Sequence, residues 1–289
     1  QVQRVRADER PVAARVGHKS TLEETRTERF IKISHLHWPD GGPQRRMPMP
    51  LRYSGAHTHR LSGDWKLNVQ NLNRGGALRR ALIAPPGHKV LAVDASQIEA
   101  RMVAWECGQR DLVQKFADGV DVYSDFATRI FGHPITKADK AERFLGKTCI
   151  LGMGYGVGWE KFQRTVKLQS KAQTGQQIDL DDVEAQRIVN LYRSGYAAIP
   201  AAWRTLNNAI PLMLKDGGGF TFGPCVFERE AIRLPSELRL HYHKLRQEQT
   251  ERGYQWVCEY GGKPKKIYGG AVLENITQAL ARIVVMDAA

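Results

Sequence analysis

Apolar residues recur at three- and four-residue spacing through the middle of the chain, and this period predicts a run of helices. Ile98, Met102, Val103 and Trp105 mark the first, which ends near Gly108; Asp111–Ala117 is a short amphipathic piece; Val122, Phe126 and Ile130 form one stripe of the next. Further helices are expected over Trp159–Leu168, Leu180–Tyr196 and Ile199–Leu214. The second of these opens on Asp179, Asp181, Asp182 and Glu184, and acidic residues favour a helix N-terminus. Glycines 217–219 close the block. Beyond them the period shortens: Phe220–Gly223 and Leu238–His243 read as short strands, the latter with Leu238, Leu240 and Tyr242 on one face. Trp256–Tyr260 is expected to pair with them, Lys263–Gly270 to be a basic turn, and the chain from Val272 to be a final helix burying Leu273, Ile276, Leu280, Ile283 and Val284.

Upstream the pattern changes. Val90, Leu91 and Val93 make the apolar approach of a buried strand that stops at Asp94, just before the first helix. Residues 1–18 are basic and polar without clear periodicity, and Ser20–Thr25 reads as a helix start in which Ser20 with Glu23, or Thr21 with Glu24, makes a capping box. Pro39–Pro50 is a Pro- and Gly-rich connector. From Leu51 to Asn71, Arg, His, Ser, Thr, Asn and Gln crowd together with little apolar periodicity. Such side chains suit phosphates and minor-groove acceptors, although a plain surface loop has the same composition.

The length of 289 residues suggests one or two domains, and 42% hydrophobic with 25% charged residues is an ordinary globular balance. The net charge is not ordinary. At +13, with a pI near 9.7, the chain favours a polyanionic partner such as nucleic acid. Cys107, Cys149, Cys225 and Cys258 form no C-x-x-C pair, so neither a zinc site nor a disulfide framework is suggested. No apolar leader and no run of about 18 apolar residues is present, so the expectation is a cytoplasmic protein without a membrane partner.

Two stretches carry candidate chemistry. Asp94, at a strand end, either caps the following helix or holds a hard cation. Arg143, Lys147, Leu151 and Tyr155 are spaced by four, so on a helix they form a slowly rotating stripe of two cations, an apolar residue and an aromatic. That order suits a triphosphate at one end and a stacked base at the other. Glycines at 146, 152, 154, 156 and 158 argue against a helix formed on propensity alone, at ~1 kcal/mol each. They suit either close backbone approach or a helix that ends in a glycine loop.

Val93-Asp-Ala-Ser-Gln-Ile-Glu-Ala-Arg101 resembles motif A of the family A DNA polymerases, in the branch common among bacteriophages. Arg143-x-x-x-Lys147-x-x-x-Leu151-x-x-x-Tyr155-Gly156 resembles motif B, and Thr58-His-Arg-Leu-Ser62 with Asn68-Val-Gln-Asn71 resembles the primer-template segment. The resemblance implies an α+β, right-hand polymerase fold: a partial palm with an antiparallel sheet and a mostly helical fingers subdomain. Residues 1–50 would be a thumb-proximal helix and connector, 51–101 palm, 102–219 fingers, and 220–289 palm-returning strands and the last helix. It implies template-directed addition of dNTPs to primer-template DNA with two Mg²⁺ ions, Asp94 and the carbonyl of Ala95 being metal ligands. Arg143 and Lys147 would hold the triphosphate, Lys147 also protonating the pyrophosphate, with Gln97, Tyr123, Leu151 and Tyr155 around the nucleotide. Glu99 would screen the 2′ position and disfavour a single-subunit RNA polymerase. Thr58, Arg60, Asn68, Gln70, Asn71 and Gln278 would follow the DNA.

The chain departs from the pattern in four respects, the first being the two residues beside the sugar. Ala95 replaces a Tyr, and Leu151 a Phe or Tyr, beside the sugar; His59 stands where Gly is usual; Glu274, followed by Asn275, stands where Asn is expected. The fourth is the His-Asp-Glu motif C: the sequence contains no His-Asp pair. This implies a truncated or split polymerase that takes motif C from a companion polypeptide or a missing extension, the alternative being an inactive DNA-binding accessory subunit.

Overall fold

Apolar spacing turns into helices wherever one face can be buried against another, and the computed structural model shows this from Ile98 onward. It describes Glu28, Ile31 and residues 49–64, 68–72, 76–216, 219–251 and 253–288. The expected capping box at residues 20–24, the basic segment 1–18 and nearly all of the 39–50 connector lie outside the described residues. The chain divides into two units, one reaching Ala56 and resuming over Arg60–Asp94, the other made of His57–His59 and the chain from Ala95.

Among its described residues the first unit holds a minimal hairpin, β1 (Leu51–Arg52) with β2 (Ser62–Gly63), a 3₁₀ turn at Val69–Asn71 and a short helix, α1 (Ala77–Arg80). Its small apolar cluster is Val69 with Leu72. The strand expected at Val90–Val93 does not form. These residues have no regular structure, and Val90, Leu91 and Val93 are 67%, 85% and 97% exposed. A strand must share its N–H and C=O groups with neighbours, and among the described residues no strand pairs with this one.

The second unit is built from α2 (Ile98–Glu106), α3 (Arg110–Ala117), α4 (Val122–Phe131), α5 (Lys140–Gly152), α6 (Trp159–Thr174), α7 (Asp182–Gly195) and α8 (Ala198–Ala209). Their apolar stripes meet in one core, where Phe126, Tyr192 and Tyr196 pack with centroids 5.1 to 5.7 Å apart. Each such side chain contributes roughly 1.5–3 kcal/mol by leaving water. The acidic opening of α7 is a cap, the Asp181 side chain accepting from the Glu184 N–H at 2.7 Å. Despite its glycines, α5 is helical through Gly152 and continues as a 3₁₀ turn over Met153–Tyr155. Gly146 explains itself by packing: a Cβ there would lie 2.1 Å from the Tyr123 carbonyl oxygen, so only glycine lets α4 and α5 approach so closely.

Two antiparallel sheets follow. The first runs β3 (Thr221–Phe222), β4 (Cys225–Glu228), β5 (Ala231–Arg233) and β6 (Arg239–His241); the second is β7 (Arg246–Thr250), β8 (Gly253–Tyr260) and β9 (Lys263–Ile267). Leu240 and Tyr242 are buried as expected, between exposed Arg239, His241 and His243. The expected pairing of Trp256–Tyr260 with the earlier strands is met only by one backbone bond, Glu259 N–H to the His243 carbonyl at 2.8 Å, its ladders being with β7 and β9, and the turn expected over Lys263–Gly270 is a strand through Ile267. Gly261 and Gly262, at φ 56° and 74°, make a two-residue hairpin turn that pairs Tyr260 with Lys263, so local closure takes the strand into its own sheet. The last helix, α9 (Gly269–Asp287), packs on α8 and α2. It buries Leu273, Ile276 and Leu280, but Val284 is 47% exposed, because the final turns run past the core.

Candidate nucleotide and nucleic-acid site

Helix α5 faces two ways. Phe144, Leu145, Cys149 and Ile150 are buried, and the opposite side presents half-buried Arg143 and Lys147 and exposed Leu151. Arg143 is gripped: its Nε and Nη2 donate to Asp121 Oδ2 and Oδ1 at 2.7 and 3.0 Å, and its guanidinium lies 5.2 Å from the centre of the Tyr123 ring. Burial raises the Asp121 carboxyl, but hydrogen bonds from Arg143, Ser124 and Tyr123 outweigh it and hold the group below the ordinary carboxylate range. Lys147 Nζ donates to Gln173 Oε1 on α6 at 3.3 Å.

Gln97 precedes α2 in the left-handed conformation, φ 57°, with its side chain toward the Tyr123 hydroxyl. Asp121, Tyr123 and Arg143 therefore meet although they lie on different helices. Asp121 escaped sequence reasoning. Its signal was an Asp directly before the Val122 stripe, the position of a helix N-cap, where it does accept from the Tyr123 N–H at 3.3 Å.

Tyr155, on the 3₁₀ turn, is partly buried, and burial followed by the carboxylates of Glu99, Glu106 and Glu274 pushes its hydroxyl well above the usual tyrosine range. Its backbone is pressed by the start of α9, where a Cβ on Gly270 would come within 2.4 Å of the Tyr155 oxygen. Trp203 Nε1 donates to the Gly154 carbonyl at 2.7 Å and fixes the same turn. Glu106 was also missed. Thr277 Oγ1 donates to its Oε2 at 2.7 Å, and burial raises this carboxyl to about 8.

Of the residues expected along DNA, Thr58 and Gln278 meet: Thr58 Oγ1 donates to Gln278 Oε1 at 3.3 Å, and Gln278 Nε2 donates to Glu274 at 3.4 Å. Asn275 instead donates to the Tyr242 hydroxyl at 3.1 Å. His59 has φ 59°, which accounts for the glycine usual at this place, and its Nε2 shares a 2.9 Å hydrogen bond with the Arg239 carbonyl. Arg60, Gln70 and Asn71 are exposed residues of the first unit, and Asn68 caps the 3₁₀ turn by accepting from the Gln70 N–H at 3.0 Å. Asp94, the last residue of the first unit, is exposed; Ala95 is exposed too, and its carbonyl accepts a 3.3 Å bond from the Ile98 N–H. Among the described residues, no group of three or more His, Cys, Asp or Glu side chains is placed to hold a metal. Nor, among them, is any helix long and apolar enough to cross a membrane.

The sequence model of DNA polymerase family A matches residues 6–208. The chain belongs to DNA polymerase family A. Among relatives of this family A chain, DNA polymerase I of Chloroflexus aurantiacus is 39% identical over 107 residues, covering 36% of this chain and 11% of that protein. The DNA polymerase of Bacillus phage SP02 is 29% identical over 216 residues, 71% of this chain and 33% of the relative. The thermostable DNA polymerase I of Thermus aquaticus is 30% identical over 195 residues, 66% and 22% respectively. The chain thus spans a third or less of the length of these relatives. A solved structure described as the POL domain of Pol1 from M. smegmatis in complex with DNA primer-template and dNTP has a TM-score of 0.54 at 17% identity, covering 91% of this chain and 40% of that one. That likeness is one of fold, and it agrees with the α+β polymerase architecture expected from the sequence.

Proposed function

We propose that this chain supplies the nucleotide-binding and primer-template surfaces of a DNA polymerase that adds dNTPs to a primer 3′ end. The observation that carries the reading is the grip of the Asp121 carboxylate and the Tyr123 ring on Arg143, which holds a guanidinium on the half-exposed side of α5 one turn from Lys147. Two oriented cations are what a triphosphate needs. In this reading Arg143 and Lys147 bind the phosphates and Lys147 donates a proton to the leaving pyrophosphate. Tyr155 and Leu151 flank the base and sugar, and Glu99 excludes a 2′-hydroxyl. Arg60, Asn68, Gln70, Asn71, Thr58 and Gln278 follow the DNA. The groups that would hold Mg²⁺ are the Asp94 carboxylate and the Ala95 carbonyl; both residues are exposed, and a hard cation with few protein ligands completes its shell with phosphate oxygens and water. Bound there, the ion would stabilise charge on the transferring phosphoryl group.

A second carboxylate of the motif C kind comes, in this reading, from a further polypeptide segment. The exposed apolar run Val90, Leu91 and Val93 supports this, because it is a strand sequence that lacks strand partners among the described residues. Primer extension by the chain, alone and with a candidate companion segment, tests the proposal. Extension that requires the companion, prefers dNTP to rNTP and is lost in Asp94→Ala is the expected result. Salt-sensitive DNA binding with no extension under any pairing would make the chain a DNA-binding accessory subunit instead.

A further inference from the structure

Asp121 is not a bystander of the cationic face. Its carboxylate is fixed before it meets Arg143, because it accepts from the Tyr123 N–H at 3.3 Å and from Ser124 Oγ at 3.0 Å at the start of α4. Helix α4 in turn is locked against α5 at Gly146. The guanidinium is therefore held along one edge by a carboxylate on a rigid neighbour and along one face by the Tyr123 ring. Nη1 has no hydrogen-bond partner among the described residues, which leaves that edge for a ligand. A long, flexible side chain pinned in this way loses little further freedom on binding and presents its remaining N–H donors in one direction.

We propose that Asp121 is a positioning residue for the triphosphate: it orients Arg143 so that the guanidinium's remaining edge meets phosphate oxygens. The inference rests on the reading of Arg143 as a triphosphate ligand. The physical alternative has the opposite sign. A carboxylate beside a polyanion site also repels the ligand, so if charge alone mattered, neutralising Asp121 would tighten binding.

The test is equilibrium binding of a dNTP to the chain, in the presence of Mg²⁺ and primer-template, for the wild type, Asp121→Asn, Asp121→Ser, Arg143→Lys and the double variant Asp121→Asn/Arg143→Lys. Asn and Ser keep the helix N-cap but cannot form the two-pronged carboxylate bond, so thermal stability should stay close to wild type. Positioning predicts that both single Asp121 variants weaken dNTP binding about fivefold or more, and that Asp121→Asn adds less than about twofold once Arg143 is Lys. Binding that is tighter or unchanged in Asp121→Asn, full recovery in Asp121→Ser, or an undiminished effect in the Arg143→Lys background would each overturn the inference while leaving the nucleotide site standing. Wild-type chain that binds no dNTP, or Arg143→Lys that binds as wild type does, would remove the site itself and the inference with it.

Discussion

Helix α5 and the segment Val90–Asp94 both carry strong apolar patterns, yet they end in opposite states. In α5, Cys149 is fully buried and Phe144, Leu145 and Ile150 are at most 5% exposed; in the upstream segment Leu91 and Val93 stand almost wholly in solvent. A helix closes its backbone hydrogen bonds within itself and needs only a surface on which to lay its stripe. A strand needs another strand for every polar backbone group. What one local sequence completes for α5, no local sequence can complete for Val90–Val93.

The contrast can be broken most forcefully at Gly146. Replacing Gly146 with Ala places a Cβ 2.1 Å from the Tyr123 carbonyl and 2.9 Å from the Ala127 nitrogen, both backbone atoms that cannot swing away. The expected cost is about 3 kcal/mol or more in urea unfolding, with loss of the α4 and α5 contact that holds Arg143. A variant with unchanged stability would show that the two helices are not so tightly apposed.

A smaller effect is expected at Glu106, whose buried carboxyl is raised from an ordinary 4.5 to about 8. Because the folded value lies above the unfolded one, the folded state keeps a proton that the unfolded state has released. Its contribution to stability is whole below about 4.5 and is lost as pH rises toward about 8. Glu106→Gln keeps an acceptor for the Thr277 hydroxyl without a titrating group. Its unfolding free energy should lack this decline, so that its advantage over wild type grows steadily between about pH 5 and pH 8. Parallel pH profiles of the two proteins would disprove the assignment.

The smallest effect is expected in the unpaired segment. Val93→Thr should change stability by less than about 0.5 kcal/mol, since the side chain is 97% exposed. Hydrogen exchange sharpens the same point: amides of residues 90–94 should exchange quickly and those of residues 144–150 slowly, and addition of a segment that pairs with Val90–Val93 should protect only the former. Slow exchange at Val93 in the isolated chain would show that the strand already has its partners.

The sequence by itself determined what depends on near neighbours. The helices from Ile98 to Ala209 follow the 3.6-residue period, and the four-residue spacing of Arg143, Lys147 and Leu151 puts them on one helix side whatever packs behind it. Motifs of one segment also carried the family, since residue types at fixed spacing persist without any knowledge of the fold. The tertiary structure decided everything that needs a distant partner. It set which strands pair, so that Trp256–Tyr260 joined β7 and β9 rather than the earlier sheet. It explained Gly146 by a carbonyl on another helix, and His59 by a left-handed turn. It placed Asp121 against Arg143 across 22 positions of sequence, an ion pair that no periodicity encodes. Periodicity reports on faces, but contacts between faces arise only when the chain has closed its loops and chosen among many possible partners.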